Sequence, residues 1–409
     1  MNTDTSMTLS EELQWRGFYN QTTFENPEAL NAMDFTLYLG TDPSADSLHV
    51  GHLAVYMMVR RFLDHGHKVV LLVGGGTGLI GDMRDTEERE LQPTDVIKQN
   101  TMALRKQVET LFSGQTFELV DNYEWLKDIT IIPFLRDIGK MFTMNELTSR
   151  EFYKARTGSE STGLSYAEFT YTILQGYDYY HLHTHNGVNL QIGGSDQWGN
   201  LLSGVELIRK KTGNVVHALS SPLVINRSTG RKFGKSESGA VWLDARKTSV
   251  YAFYQFWLNT DDESAVEYLK LFTLLNKPTI DAIVADHEEH RGARVAQKRL
   301  AQEVTSLVHG KERAESVMRV TDVLFGSSNI DTLSDEDREL LASEIPTVPR
   351  GTLVSDALIE SGAVSSKGEI RRLMQNGGIS LNCEKMAEDK AVESPSLIKK
   401  GKNVFIFVK

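Results

Sequence analysis

The stretch Tyr38-Leu39-Gly40-Thr41-Asp42-Pro43 runs into His49-Val50-Gly51-His52, and this junction decides the fold. Strand-like residues, Phe35 to Leu39, break at Gly40 and Pro43. A helical pattern opens at His49 and continues through Leu53, Val55, Tyr56 and Val59. Two imidazoles three positions apart share one face of that helix. Gly51 between them admits close approach to the backbone. The amides and positive end of the first turn suit a phosphate. Taken alone, the stretch reads equally as two surface histidines at a helix start.

Working outward, Lys68 to Val73 is an unbroken apolar run, as in a buried parallel strand. It ends in Gly74-Gly75-Gly76-Thr77-Gly78-Leu79-Ile80-Gly81-Asp82. Thr94 to Phe112 has helical spacing, Phe117 to Val120 reads as a strand, and Val188 to Ile192 is a strand closing on Gly193-Gly194. Leu201 to Ile208 is again helical. Strands alternating with helices, each strand closing on glycines, predict an α/β fold with a Rossmann-like parallel sheet. Ligands in such sheets sit beyond the carboxyl ends of the strands.

After Ser236 the pattern becomes helical: Thr248 to Leu258, Glu263 to Asn276, Thr279 to His287 and Arg291 to Val308. Arg291, Arg294, Lys298 and Arg299 fit a solvated helix face as well as an RNA contact. Residues 327–350, rich in Ser, Asp, Glu and Pro, read as a linker. Beyond it, Leu353 to Ile359 and Lys367 to Gln375 read as short helices, the second capped by Ser365 or Ser366 and ended by Gly377-Gly378. Ile379 to Asn382 and Asn403 to Val408 read as strands. The expected organisation is a Rossmann-like domain over 1–236, an α-helical domain over 237–328, a linker over 329–350 and a small α+β module over 351–409.

At 409 residues the chain can bury a sizeable core. A net charge of −11 argues against a protein that coats nucleic acid non-specifically, and DNA is not an expected partner. Residues 351–409 nevertheless carry nine Lys/Arg against seven Asp/Glu, so the acidic excess lies upstream. The single cysteine, Cys383, rules out an internal disulfide and fits a reducing compartment. Met1 to Gln14 lacks an apolar signal core and no run is long enough to span a membrane, so a cytoplasmic protein is expected.

Several motifs compete. Gly76-x-Gly78-x-x-Gly81 after a strand satisfies the dinucleotide pattern of a nicotinamide or flavin oxidoreductase. Its sequel, Asp82-Met83-Arg84-Asp85-Thr86-Glu87-Glu88-Arg89, has no apolar helix face, and no acidic strand end follows about twenty residues on. Gly234-Lys235-Ser236 fails as a P-loop, because Gly230 is one residue too close and no helix follows. A mobile glycine loop with two lysines still suits a pyrophosphate. His181-x-His183-x-His185 is the best metal candidate, since alternate positions on a strand share a face, but no carboxylate or cysteine completes a set. His287-Glu288-Glu289-His290 lacks zincin spacing, and nothing marks Cys383 as a nucleophile. No metal site is expected.

Tyr171-x-x-x-Gln175-x-x-Asp178 lines three polar groups along one stripe of a helix, where a core would need a partner for each. Gln191-Ile192-Gly193-Gly194-Ser195-Asp196-Gln197-Trp198-Gly199-Asn200 follows a strand with amides, a carboxylate and a carboxamide. Together with His49-x-Gly51-His52 and Lys232-Phe233-Gly234-Lys235-Ser236, these stretches resemble the class I aminoacyl-tRNA synthetases, and among them the bacterial-type tyrosyl enzymes. The tryptophanyl enzymes share the fold, but the tail module and the pair Tyr38 and Asp178 argue against them. A synthetase-like paralogue that binds RNA without aminoacylation is the other alternative.

The resemblance implies tyrosine activation by ATP, supplied as its Mg2+ complex, then transfer to tRNA(Tyr) by a homodimer. It implies catalytic roles for His49, His52, Lys232 and Lys235. Asp82, Tyr171 and Gln175 fall to the tyrosine ammonium, Tyr38 and Asp178 to its phenol, and Gln197 to its carboxylate. Asp42 and Asp196 fall to the nucleotide and ribose, with Lys235 and Ser236 on the phosphates and Gly40, Gly51 and Gly194 giving close approach. The tail resembles an S-four-like RNA-binding module, with Lys367, Arg371 and Arg372 as its RNA contacts. Three features depart from the family. Leu39 replaces a small polar residue, Val55 replaces a possible hydroxyl, and Met83-Arg84-Asp85-Thr86 replaces a stretch carrying a lysine.

Overall fold

The computed structural model describes residues 7–82, 90–148, 164–225, 233–236, 239–326 and 328–409, with 235–236 described by backbone only. Two compact units emerge. The first comprises 1–248 with 256–300, and the second 249–255 with 301–409.

The first unit is built on five parallel strands: β1 (Thr36–Thr41), β2 (Lys68–Val73), β3 (Glu118–Asp121), β4 (Leu190–Gly194) and β5 (His217–Ser221). Their order is β3-β2-β1-β4-β5. The chain order reverses between β1 and β4, and a crevice must open beyond their carboxyl ends. The strands read as apolar runs because helices cover both sheet faces: α2 (Val50–Asp64), α3 (Thr94–Leu111), α4 (Tyr166–Asn186) and α5 (Trp198–Thr212) follow α1 (Leu9–Arg16). Fully buried Leu37, Leu53, Val59, Leu190 and Leu219 lie in this core.

Helices α4 and α5 pack closely. A Cβ on Gly204 would lie 2.5 Å from the Tyr179 ring, so only glycine lets α5 come this near. Gly204→Ala would overpack the contact, at a cost of about 1–3 kcal/mol. The linking helices α6 (Val250–Leu258), α7 (Asp262–Phe272), α8 (Lys277–Glu289) and α9 (Val295–His309) match the expected positions to within a few residues. One expected helix is broken, because Arg294 adopts a left-handed backbone, φ 56°, between a short 3-10 turn and α9. Among the described residues no helix is long and apolar enough to cross a membrane.

In the second unit, α10 (Lys311–Phe325) is followed by the stretch expected to be a linker. It is folded instead: a helix α11 (Asp335–Glu344) and a short strand β6 (Thr347–Val348) occupy it. Ser334 and Asp337 form a capping box, Asp337 pairs with Arg319 through two hydrogen bonds of 2.7 and 2.9 Å, and Leu333 and Leu341 are buried. Burial raises the Asp337 carboxyl, but Arg319, Ser316 and the Ser334 amide prevail and hold it at about 2. Its acidic composition masked a capped helix.

Helices α12 (Val354–Glu360) and α13 (Lys367–Gln375) precede β7 (Ile379–Leu381), β8 (Ser396–Lys400) and β9 (Val404–Val408). The sheet order is Glu384–Lys385, β7, β8, β9, β6, antiparallel except for β9 with β6. Alternate residues of β8 and β9 serve different cores. Ile398, Ile406 and Val408 pack with Leu358, Ile370 and Met374 of α12 and α13. Leu397, Phe405 and Phe407 pack with Val320, Val323, Leu324 and Leu341 of α10 and α11. The small sheet is therefore covered on both faces, which is why Val404 to Val408 is apolar throughout.

Candidate active site

A cavity of about 360 Å³ opens beyond the carboxyl ends of β1 and β4. Its wall includes Tyr38, Gly40 and Asp42 from β1 and its turn, His49, Gly51 and His52 from α2, and Asp82. Tyr171, Gln175 and Asp178 come from α4, and Gly194, Asp196 and Gln197 from the end of β4. Sixteen of the nineteen residues singled out in the sequence were expected here. Thirteen line this one cavity, Lys232 lies outside the described residues, and Lys235 and Ser236 are described by backbone alone. Arg84 and its neighbours 83–89 likewise lie outside the described residues.

The helix start differs from expectation. His49 is the N-cap, and α2 begins at Val50. The Gly51 amide donates to His49 Nδ1 at 3.0 Å, the His49 amide donates to His52 Nδ1 at 3.2 Å, and the Val50 amide donates to the Val241 carbonyl at 3.0 Å. These amides are thus taken up inside the protein, which corrects the picture of free amides awaiting phosphate. The tautomers follow from the same bonds. An Nδ1 that accepts carries no proton, so each neutral ring holds its proton on Nε2 and can donate it. Burial, with the neighbouring His49, lowers His52 to about 3, so it stays neutral at working pH. The two rings stack at 3.8 Å.

Gly51 clears room for this arrangement. A Cβ there would lie 2.8 Å from His49 Cε1, and 3.5 Å from the Phe233 carbonyl. Gly234 lies equally close, since its Cβ position falls 3.0 Å from the Gly51 amide nitrogen. The two signature motifs therefore meet glycine to glycine. Phe233 anchors the second of them, with its ring centroid 4.6 Å from Tyr268, 5.2 Å from Phe272 and 5.4 Å from Trp257. Lys235–Ser236 then pairs antiparallel with Gly239–Ala240.

At the other end, side chains hold one another. Asp178 is 3 % exposed, and its oxygens accept from Trp125 Nε1 at 2.8 Å and Asn122 Nδ2 at 2.9 Å. Burial dominates and pushes its carboxyl up to about 7, against the lowering effect of those two donors. The Tyr38 hydroxyl is buried without a hydrogen-bond partner among the described residues, and burial followed by the Asp178 charge raises its pKa well above the usual phenol range. The Tyr171 hydroxyl donates to Asp42 Oδ2 at 2.9 Å, and Thr77 donates to Asp42 Oδ1 at 2.7 Å. Gln197 donates to Asp82 Oδ2 at 2.7 Å, and Asn200 donates to Gln197 Oε1 at 2.9 Å.

Asn122 and Trp125 were missed in the sequence, and Thr77, Asn200 and Gln191 were quoted within motifs without a role; Gln191 lines the cavity, and its buried Oε1 has no partner among the described residues. Asn122 and Trp125 follow β3 at the position where parallel sheets place functional side chains, and that was the available signal. Asn122 also decides the fate of the glycine turn. Its Oδ1 takes the amides of Gly76 at 2.8 Å and Thr77 at 3.4 Å, and Asp121 takes that of Gly75 at 3.0 Å. A 3-10 turn, Thr77–Leu79, follows in place of a long helix. The turn is closed to a pyrophosphate, and the dinucleotide reading fails. The histidine triplet lies on α4, not on a strand. His181 and His185 stack at 4.1 Å, and His183 is bonded to the Val188 carbonyl and to Asn214. Among the described residues no group of three His, Cys, Asp or Glu could hold a metal.

In the second unit, Lys367 pairs with Asp356 at 3.0 Å, while Arg371 and Arg372 stand on α13. Ser366 caps that helix through the Glu369 amide.

The family model described as tRNA synthetases class I (W and Y) matches residues 30–326. The chain therefore belongs to that family and is an aminoacyl-tRNA synthetase. It is 43 % identical over 411 residues to a tyrosine–tRNA ligase of Bacteroides fragilis, covering 96 % of this chain and 95 % of the relative. It is 43 % identical over 421 residues to a tyrosine–tRNA ligase of Staphylococcus haemolyticus, covering 98 % and 99 %. A C-terminally truncated mitochondrial tyrosyl-tRNA synthetase of Aspergillus nidulans superimposes with a TM-score of 0.70 at 30 % identity, covering 79 % of this chain and 95 % of that one.

Proposed function

We infer that this chain is a tyrosine–tRNA ligase, which condenses L-tyrosine with ATP and passes the tyrosyl group to the terminal adenosine of tRNA(Tyr). The observation that carries the tyrosine reading is the buried, unpartnered Tyr38 hydroxyl beside Asp178. A buried donor with no acceptor is costly. A substrate phenol accepts that proton and gives its own to Asp178, so tyrosine completes the site and phenylalanine does not.

Activation needs no protein nucleophile. The tyrosine carboxylate attacks the α-phosphorus, the new C–O–P bond forms, and the bond to the bridging oxygen breaks to release pyrophosphate. Catalysis rests on holding the reactants in line and stabilising charge on the phosphoryl oxygens. Nε2–H of His49 and His52 donate to those oxygens, and Lys232 and Lys235 attend the leaving pyrophosphate. Asp82, Tyr171 and Gln175 hold the ammonium and Gln197 the carboxylate, while Asp42, Asp196 and Ser236 serve the nucleotide beside Gly40, Gly51 and Gly194. ATP enters as its Mg2+ complex, the metal being part of the substrate.

Arg371 and Arg372, with Lys367 beside them, contact tRNA through the tail module. The working form is a homodimer in the cytoplasm. The exposed large side chains of Ile131, Ile132, Leu135, Met144 and Tyr166 support the dimer. Tyrosine-dependent exchange of labelled pyrophosphate into ATP tests activation. Purified protein that binds tRNA(Tyr) but shows no exchange would be a non-charging relative.

A further inference from the structure

The histidine triplet of α4 has one member whose contacts lead back to the site. Asp178 and His181 are three residues apart on α4, so they share one side of that helix. Trp125, on the single turn Tyr123–Leu126 after β3, touches both. Its indole Nε1 donates to Asp178 Oδ1 at 2.8 Å. Its ring stacks on the His181 imidazole, with centroids 4.4 Å apart and planes 13° from parallel. The column continues outward, since His181 stacks on His185 at 4.1 Å and 21°. His185 Nδ1 donates to the His181 carbonyl at 2.8 Å, because a carbonyl can only accept, and this fixes the outer ring in turn. None of the three rings lines the cavity, so any effect they have on a substrate passes through Asp178.

An indole N–H lies in the plane of its ring, so its aim follows the tilt of that plane. A hydrogen bond weakens steeply once it bends. A flat ring against the indole face resists the tilt, whereas an aliphatic side chain of similar volume only fills the space. His181 is half-buried, and burial followed by the neighbouring His185 lowers it to about 4. At working pH it is therefore a neutral ring that brings no charge beside Asp178.

We propose that His181 is a positioning residue for the choice of tyrosine: stacked on Trp125, it holds the indole N–H in line with Asp178, the group that reads the phenol. The proposal rests on the tyrosine-activation reading. Its test is kcat/KM for tyrosine and for phenylalanine in pyrophosphate exchange. The proteins are wild type, His181→Ala, His181→Leu, His181→Phe, Trp125→Phe, and Trp125→Phe combined with His181→Ala. His181→Ala and His181→Leu should each lower the preference for tyrosine by ~3-fold, the scale of one aromatic pair. The loss should fall on tyrosine, with phenylalanine activation nearly unchanged. His181→Phe keeps a flat ring and should keep the wild-type preference. With Trp125→Phe in place, His181→Ala should lower the preference no further, because the N–H that His181 aims is gone. A wild-type preference in His181→Ala would overturn the assignment, as would equal preferences in His181→Leu and His181→Phe. So would a loss in the combined variant equal to the product of the two single losses, or tyrosine and phenylalanine falling alike, which marks a packing role. Should His181→Ala fail to fold, the comparison of His181→Leu with His181→Phe decides by itself. A wild type that shows no exchange, or no preference for tyrosine, would instead sink the activation reading, and this proposal with it.

Discussion

The two ends of the cavity are held in different ways. At the end proposed for the phenol, Asp178 is gripped by Asn122 and Trp125, whose side chains come from the segment after β3. At the end proposed for the phosphates, His49 and His52 are gripped by amides of their own helix turn. The first is a web in which one substitution disturbs several neighbours, and the second is local and self-contained. Charge differs too. Asp178 titrates near 7, while His52 stays uncharged down to about 3. On the proposed reading, substrate choice rests on a tunable group, and phosphate handling draws on His52, which does not change within the working range.

The largest effect should come from the phosphate end. His49→Ala or His52→Ala should each slow adenylate formation by ~10²–10³, with equilibrium tyrosine binding nearly unchanged, because the loss belongs to the transition state. Pre-steady-state rates equal to wild type in both variants would dissolve the distinction between the ends. Next, Asp178→Ala should lower kcat/KM for tyrosine by ~10², the scale of a lost hydrogen bond to a charged group. Phenylalanine activation should change far less. If both amino acids suffer alike, Asp178 supports the fold and does not read the hydroxyl.

The pH dependence sharpens the contrast. Burial raises the Asp178 carboxyl to about 7, so on descending through that value the free enzyme takes up a proton and loses its acceptor for the phenol. kcat/KM for tyrosine should then fall by ~10-fold per pH unit below the turn, and phenylalanine should show no such limb. A pH profile identical for the two substrates would place the titrating group elsewhere. Trp125→Phe removes one donor that lowers this pKa, so its acid limb should move upward and tyrosine activation should drop by about 5-fold. An unmoved limb in that variant would separate Trp125 from Asp178.

The smallest expected effect lies far from the cavity. Arg371→Ala with Arg372→Ala should leave pyrophosphate exchange intact and flatten the salt dependence of tRNA binding by a slope of roughly 1–2. Unchanged slope would remove these arginines from the RNA contact. Deleting residues 351–409 is a poorer test than these substitutions, since it would uncover Val320, Leu324 and Leu341.

The sequence displayed the parallel sheet well, because Lys68–Val73 and Leu190–Gly194 are apolar runs closed by glycines. It also displayed the stripe of Tyr171, Gln175 and Asp178, because helical spacing is local. It hid whatever depends on contacts across the chain. Nothing near Trp125 says that its indole will meet a carboxylate 53 residues later. The covered second face of the C-terminal sheet was hidden for the same reason, and the acidic stretch around α11 looked like a linker. The capping amides at His49 and Gly51 escaped notice because a histidine is an uncommon cap.

The sheet with two covers has a consequence for how the protein is made. Helix α10 ends at Phe325, and the strands that cover its apolar face begin at Ser396, roughly 70 residues later. A ribosome adds ~5–20 residues per second. For several seconds, therefore, Val320, Val323 and Leu324 stand without the aromatic side chains of β9 that will bury them. The segment from α10 onward is the part of the nascent chain where a holding chaperone would find its longest opportunity.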